Sequence, residues 1–373
     1  MIDKQIYQIG LTMINGVGDV LARHLLEAIG DAEAVFTERP NALAKIPGIG
    51  RTIVSEIKKA DTLLRAEKEL DFARKNGISI HFLTDSAYPI RLRECPDAPI
   101  LFYFKGNADL NASRVISVVG TRRPSDYGLE LTERLVRELA EYFPDLLVIS
   151  GLAYGIDVCA HRNALRYGLP TVAVLAHGLD RLYPSMHRQV AVDMLTQGGL
   201  LTDFPAGTNP DRPNFISRNR IVAGLADASV VVESAEKGGS LITADMAFSY
   251  GRDVYTFPGR VTDPCSKGCN ELIRQNKAGL ITCATDLVSA MRWDVTQKTD
   301  ELPTQAQLLF PQNQEEDSPI LSLLKEQREM HINELSISLN LPVSQLSTLL
   351  FELEMEGRIK SMPGSVYKLA TPL

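Results

Sequence analysis

Cysteine is sparse in this 373-residue chain, and what there is does not pair. The five residues (Cys95, Cys159, Cys265, Cys269 and Cys283) are odd in number and contain no CxxC spacing. That excludes a disulfide framework or a zinc ribbon as the organising device. Cys265 and Cys269 lie four apart and could form half of a metal site, but reduced thiols in and near a loop are the simpler reading. The histidines His24, His81, His161, His177, His187 and His331 fall into no metal-ligand spacing either. No window approaches a membrane-spanning apolar run, and the start Met1-Ile2-Asp3-Lys4-Gln5 lacks the charged and apolar regions of a secretory signal. The expectation is a cytoplasmic protein. Net positive charge is missing as well. The balance of −7 does not announce a nucleic-acid binder, although a local basic cleft on an acidic protein can hold a phosphate backbone.

What the chain has in abundance is glycine in loops at the ends of apolar runs. Four such loops fall between Val115 and Gly259: Gly120-Thr121-Arg122-Arg123, Ser150 to Gly155, Ala176-His177-Gly178-Leu179, and Glu233 to Ser240. Each is expected to open a helix. Loops that follow parallel strands gather at one edge of an α/β sheet, where free helix N-terminal N–H groups and the helix dipole favour anions. In the first loop Gly120 permits a sharp turn, Thr121 offers a hydroxyl, Arg122 a planar fork for phosphate, and Arg123 a second cation. Ser125 or Asp126 would cap the helix running to Tyr142. Gly151 and Gly155 belong to the second loop. Lys237, Gly238, Gly239 and Ser240 feed a further helix N-terminus. Arg218 and Arg220, two apart, share a face in extended chain, with Asn219 facing the other way. In a helix they would not share one. These residues together point to a phosphate-rich ligand, either a nucleotide to be cut or a nucleic-acid backbone to be held.

The length predicts two or three domains. Residues 1–84 read as helical and contain an echo about 32 residues apart. Ile14-Asn15-Gly16-Val17-Gly18 and Ile46-Pro47-Gly48-Ile49-Gly50 each precede an amphipathic helix, as in a tandem helix-hairpin-helix of the SAM-like kind. The glycine turns suit a phosphate or, equally, a helical packing module without DNA contact. Residues 85–292 alternate apolar runs (100–104, 115–119, 146–149, 171–175, 230–232, 254–257) with helical periods. That is the signature of right-handed βαβ units and a mainly parallel sheet. Residues 293–318 form an acidic, Gln-rich linker. Residues 319–373 read as three helices and a β-wing, a winged helix. Its third helix carries Glu352, Glu354 and Glu356 and no cation before Arg358, so protein docking or packing suits it better than DNA reading.

In their order along the chain these elements resemble the DprA (Smf) family of DNA-processing proteins. The resemblance is carried by Val118-Val119-Gly120-Thr121-Arg122, Ser150-Gly151-Leu152-Ala153-Tyr154-Gly155-Ile156-Asp157 with Ala160-His161, and Gly178-Leu179-Asp180-Arg181-Leu182-Tyr183-Pro184. It continues through Arg218-Asn219-Arg220-Ile221-Val222-Ala223-Gly224-Leu225, Glu233, Gly239-Ser240-Leu241-Ile242-Thr243-Ala244 and Phe257-Pro258-Gly259. It implies an α/β fold: an extended Rossmann-like central domain flanked by the helical and winged-helix domains. It also implies binding of single-stranded DNA, protection of incoming DNA, a homodimer, and loading of the RecA recombinase during natural transformation, without required catalysis or cofactor. By the same resemblance Arg122 is the DNA-backbone arginine. Two departures stand out. Ser185-Met186-His187 replaces a stretch that often carries Lys and Asn in the family, with Arg188 as a substitute cation, and Gly238 stands where Ser is common. Tyr183 and Phe215 are candidate stacking platforms. The competing reading is a phosphoribohydrolase-type nucleotide hydrolase with Glu233 polarising water or ribose. Against it, Glu233 reads better as a strand-end residue that orders the Gly-rich loop. A nuclease would need paired metal-binding carboxylates, which the sequence does not offer.

Overall fold

The computed structural model describes residues 3–293, 319–327, 329–339, 341–355, 358–362 and 365–370. The chain divides into two compact units, Met1–Thr296 and Gln297–Leu373.

The first unit is built on a nine-stranded sheet. Its strands are β1 (Ser79–Phe82), β2 (Leu101–Gly106), β3 (Val115–Val119), β4 (Leu147–Ser150), β5 (Thr171–Val174), β6 (Gly198–Thr202), β7 (Ala228–Val231), β8 (Asp253–Thr256) and β9 (Gly279–Leu280). They lie in the order β1-β2-β6-β5-β4-β3-β7-β8-β9. From β6 to β9 all neighbours are parallel, and β2 and β1 add on antiparallel at one edge. β3 is buried at every position because helices cover both faces, as a parallel sheet requires. The period of two sorts its side chains. Val115 and Val119 join the core under the helices Arg212–Leu225 and Gly239–Ser249. Ile116 and Val118 join the opposite core with Leu131, Leu135 and Ala160, under Asp126–Tyr142 and Ile156–Arg166. Each fully buried Leu or Ile of these cores contributes roughly 1.5–3 kcal/mol. Ser117 fits the same interior only because its hydroxyl bonds that of Ser229 on β7 at 2.6 Å.

Residues 4–75 form six helices, with glycine turns where the echo predicts them: Gly16 at φ 82° and Gly48 at φ 85°. The expectation of helix up to residue 84 fails at its end. Ser79–Phe82 is strand β1, paired with β2 from Ser79↔Phe104 to Phe82↔Leu101. Its Phe82 and the β2 residues Leu101 and Tyr103 share one core with Leu25, Leu43 and Ile57 of the helical segment. The strand exists because that edge needs an apolar face for the helices to cover. The helical segment is thereby packed into the same compact unit as the sheet.

The second unit holds helices Pro319–Gln327, Ile332–Leu339 and Val343–Met355 and a three-stranded sheet: β10 (Glu329–His331), β11 (Ile359–Met362) and β12 (Val366–Leu369), in the order β10-β12-β11. Leu324, Leu335, Leu346 and Leu350 are its buried centre. Strand β10 is an addition to the expected hairpin. Of the predicted acidic face on the third helix, Glu352 is exposed. Glu354 is instead tied to the wing, accepting from the Ser361 N–H at 3.0 Å and its hydroxyl at 2.6 Å. Glu356 and the linker acids Asp300, Glu301, Glu315, Glu316 and Asp317 lie outside the described residues.

Candidate functional site

Because β3 to β9 run parallel, the loops after them share one edge. Strand order reverses between β3 and β7, and ligands of open α/β sheets bind in the crevice at such a reversal. A cleft of about 790 Å³ opens there. One side is the loop after β3, with Gly120, Thr121 and Arg122. The floor carries Gly151 and Asp157. The far wall is the helix Arg212–Leu225, and the fourth side is the segment Glu236–Asp245.

The loop after β3 is fixed from behind. The Thr121 N–H donates to the Glu233 carbonyl at 2.8 Å, and the Thr121 carbonyl accepts from the Ile156 N–H at 3.2 Å. Gly155 is required by that approach: it has φ +78°, and a Cβ there would lie 2.2 Å from the Thr121 oxygen. Gly155 therefore shapes the site from behind and is not among the cleft-lining residues. Ser125 caps the helix Asp126–Tyr142 by accepting from the Gly128 N–H at 3.1 Å. The buried Glu233 carboxylate accepts from the Ser125 N–H (2.8 Å) and hydroxyl (2.6 Å). So Glu233 orders the loop after β3, not the Gly-rich loop that follows it, and its carboxylate does not line the cleft.

Arg122 is exposed, and no ion pair engages it among the described residues. Its guanidinium lies 5.2 Å from the centroid of the Phe215 ring, and Phe215 in turn packs edge-on to Tyr183 with centroids 5.9 Å apart. A cation and two aromatic rings thus stand in series, with Tyr183 42 % exposed. Across the cleft are Lys237, exposed, and Gly238, Gly239 and Ser240 at the start of the helix Gly239–Ser249, whose N-cap Gly238 supplies no side-chain cap. The Leu241 N–H closes a tight turn on the Gly238 carbonyl at 3.2 Å, and the Gly239 and Ser240 N–H groups at this helix start add to the attraction for an anion.

Arg218 and Arg220 do not behave as the extended reading expects. Both lie in the helix Arg212–Leu225, so two residues of separation turns them to different sides, and both are buried. Arg218 belongs to the cleft lining as the sequence reading expects, but it is almost wholly buried and is engaged from within. Its Nη1 donates to the Gly151 carbonyl at 2.7 Å and to the Val174 carbonyl, tying the loop after β4 to the end of β5. A Cβ on Gly151 would sit 2.3 Å from that guanidinium, which explains the glycine. Burial lowers the Arg218 pKa to about 10 against the opposing pull of Asp157, whose own pKa is raised by burial despite Arg218. Arg220 points away from the cleft and pairs with Asp203 at 2.6 Å and Asp19 at 2.9 Å. Burial acts to lower its pKa, and those two carboxylates more than offset it, so the net shift is upward.

Asn219 lines the cleft instead of facing the other way, because the helix turns it there. Arg123 and Arg188 are exposed but lie outside the lining, Arg188 as the first residue of the helix Arg188–Met194. The Ala176–Leu179 loop does not open a helix, since the next α-helix begins only at Arg188. The intervening turn is held by the buried His177 ring, which bonds the Gly178 carbonyl at 2.9 Å and accepts from the Tyr183 N–H at 3.1 Å. Arg212 is a cleft residue the sequence reading passed over. Asp211 as N-cap followed by Arg212-Pro213 is a helix-start pattern that would have revealed it and separated Arg218 from Arg220.

Three family models match the chain: DNA recombination-mediator protein A over residues 79–292, a DprA winged-helix domain over 303–365, and a SAM-like helix-hairpin-helix tandem over 9–60. The chain is 33 % identical over 292 residues to Protein Smf of Synechocystis sp., covering 77 % of this chain and 73 % of that protein. To DNA processing protein DprA of Streptococcus pneumoniae it is 38 % identical over 207 residues, 56 % of this chain and 72 % of the relative. The solved structure of DprA from Streptococcus pneumoniae superposes with a TM-score of 0.66 at 31 % identity, over 78 % of this chain and 98 % of that one. DNA processing protein A from Helicobacter pylori, whose structure was described for its single-stranded DNA binding mode, superposes with a TM-score of 0.52 at 27 % identity, over 58 % and 95 %.

Proposed function

Because the chain belongs to the DNA recombination-mediator protein A (DprA/Smf) family, we propose that its cleft holds single-stranded DNA without cutting it. The observation that carries the reading is the series Arg122, Phe215 and Tyr183, in which Arg122 and Phe215 line the cleft and Tyr183 packs against Phe215 just outside the lining. A guanidinium beside the half-buried Phe215 ring and the exposed Tyr183 ring fits alternating phosphates and unstacked bases, and base–aromatic stacking of about 1–3 kcal/mol per base does not depend on sequence. Duplex bases are already stacked on one another and offer no such face to the rings. Arg212, Lys237 and the helix N-terminus at Gly239 supply further attraction for the backbone. With the family come the finer parts of the proposal: protection of DNA during transformation, a homodimer, and loading of RecA.

The test is a titration of labelled single-stranded and blunt duplex oligonucleotides at matched salt, beside RecA filament assembly with and without the protein. Preference for the single strand is expected, and equal affinity for both would sink the reading. The hydrolase alternative predicts turnover of a nucleoside monophosphate. Glu233, its candidate base, is occupied by Ser125, so Glu233→Gln is expected to leave DNA affinity unchanged and to abolish no activity. Turnover that vanishes in this variant would favour the hydrolase.

A further inference from the structure

The wall of the cleft is a single helix with two loaded faces. On Arg212–Leu225, residues Arg212, Phe215, Ile216, Asn219 and Val222 line the cleft at the three- and four-residue spacing of one helical face. On the far side Arg220 and Gly224, four apart, face the other way. Gly224 backs onto Cys95 and Leu92, and Arg220 reaches Asp19 and Asp203. Asp19 is the first residue of the helix that follows the first glycine hairpin. Its other carboxylate oxygen accepts from the Ile100 N–H at 3.0 Å, and one turn on, Arg23 donates to the Cys95 carbonyl at 3.2 Å. The helix that follows this hairpin is therefore engaged with the central domain through Asp19 and Arg23.

A second grip lies 50 residues further on. The buried Glu69, on the helix Ala60–Lys75, accepts from the Ala206 N–H at 2.9 Å. Ala206 belongs to the segment that begins at Asp203, passes Pro210 at the cleft, and runs into the Arg212 helix. The helical domain thus holds the cleft wall at its leading loop and at its back face.

We propose that the N-terminal helical domain is a positioning module for the cleft, acting through Asp19 and Glu69, and that its first hairpin holds protein instead of DNA. The inference rests on the single-strand reading only for its affinity measurement. Asp19 and Glu69 lie outside the cleft lining and touch no ligand-facing atom, so they act by setting where Arg212, Phe215 and Asn219 stand.

The experiment uses the full chain with Asp19→Ala and Glu69→Ala, read by titration with a labelled single-stranded oligonucleotide across a salt series and by amide hydrogen exchange over residues 206–222. Each variant is expected to lose affinity by about fivefold, the low end of measured coupling between sites. The slope of affinity against salt should not change, because no phosphate contact is removed, and exchange over 206–222 should rise. Asp31→Ala removes the cap of another helix in the same domain, where Asp31 accepts from the Ala34 N–H at 2.8 Å. It should lower the melting temperature and leave affinity alone, which separates positioning from general stability. If Asp19→Ala does not fold, Asp19→Asn keeps the acceptor for Ile100 and replaces the oxygen that accepts from Arg220 with a neutral amide donor, which breaks that pair. Unchanged affinity in folded variants, or a fall in the salt slope, overturns the inference. If the wild type binds no single strand, the function proposed above has failed, and the exchange data alone decide this one.

Discussion

Arg122→Ala is the perturbation from which most follows. The guanidinium is exposed, unpaired among the described residues, and poised 5.2 Å from the Phe215 ring centroid. If it meets a backbone phosphate, its removal deletes one counterion-release event. The slope of log K against log salt should then become shallower by about 0.7 for single strands. A hydrogen bond to a charged group is worth about 1.5–3 kcal/mol, so affinity at low salt should fall by roughly 10- to 150-fold. Arg122→Lys separates charge from shape. It keeps the wild-type slope but loses the planar contact on Phe215, which costs about 0.5–1 kcal/mol at an exposed site. Arg218→Ala is the contrast. It strips the partner from the buried Gly151 and Val174 carbonyls, so stability should drop by about 1–3 kcal/mol. Fluorescence anisotropy over a salt series, with a melting curve for each variant, measures all three. A folded Arg122→Ala protein with unchanged slope would refute the reasoning and make Arg122 a structural residue.

Phe215→Ala should weaken single-strand binding by about 1–3 kcal/mol with little change of salt slope, because it removes a stacking face and no charge; Phe215→Tyr should retain most of the affinity in the same titration. The buried His161, whose Nδ1 lies 2.7 Å from the Thr171 hydroxyl, has its pKa lowered by burial from 6.5 to about 3. The unfolded chain therefore binds one more proton through that window, and stability falls with decreasing pH by about 1.4 kcal/mol per unit. Denaturant melts of His161→Asn should show a pH dependence shallower by that one proton, and identical slopes would count against the assignment. Ending the chain after Thr296, the edge of the first compact unit, should leave single-strand affinity within about tenfold, or 1.4 kcal/mol, at equal oligomeric state, since the cleft belongs wholly to that unit. A greater loss would mean that the winged-helix unit contributes to DNA binding.

The parallel core was legible because strands buried on both faces read as unbroken apolar runs, as Val115–Val119 does. Strand β6 was not, because Gly198-Gly199 looks like a turn. A Cβ at Gly198 would lie 1.8 Å from the Thr171 carbonyl oxygen, so the pair serves close packing against β5. The loops with Arg122, Lys237 and Gly239 were found from local pattern, since a strand end followed by a helix start is a local property. The roles of Arg218 and Arg220 depend on partners 44 and 201 residues away, Val174 and Asp19, and no local pattern carries that information. Clustered arginines read as ligand contacts in the sequence, and folding turned two of them into braces.

Those braces bear on where the entropy of binding falls. The loop after β3 is held by Glu233 through Ser125 and Thr121, and the loop after β4 is clamped to the end of β5 by Arg218 before any ligand arrives. Ordering of the backbone on association is then largely a matter for the nucleic acid, because the receptor is already arranged. Stiff, pre-stacked strands such as oligo-dA must first unstack, whereas loosely stacked oligo-dT need not. A preference for the more supple strand, greatest when the oligomer is just long enough to fill the cleft, is what a rigid cradle would produce.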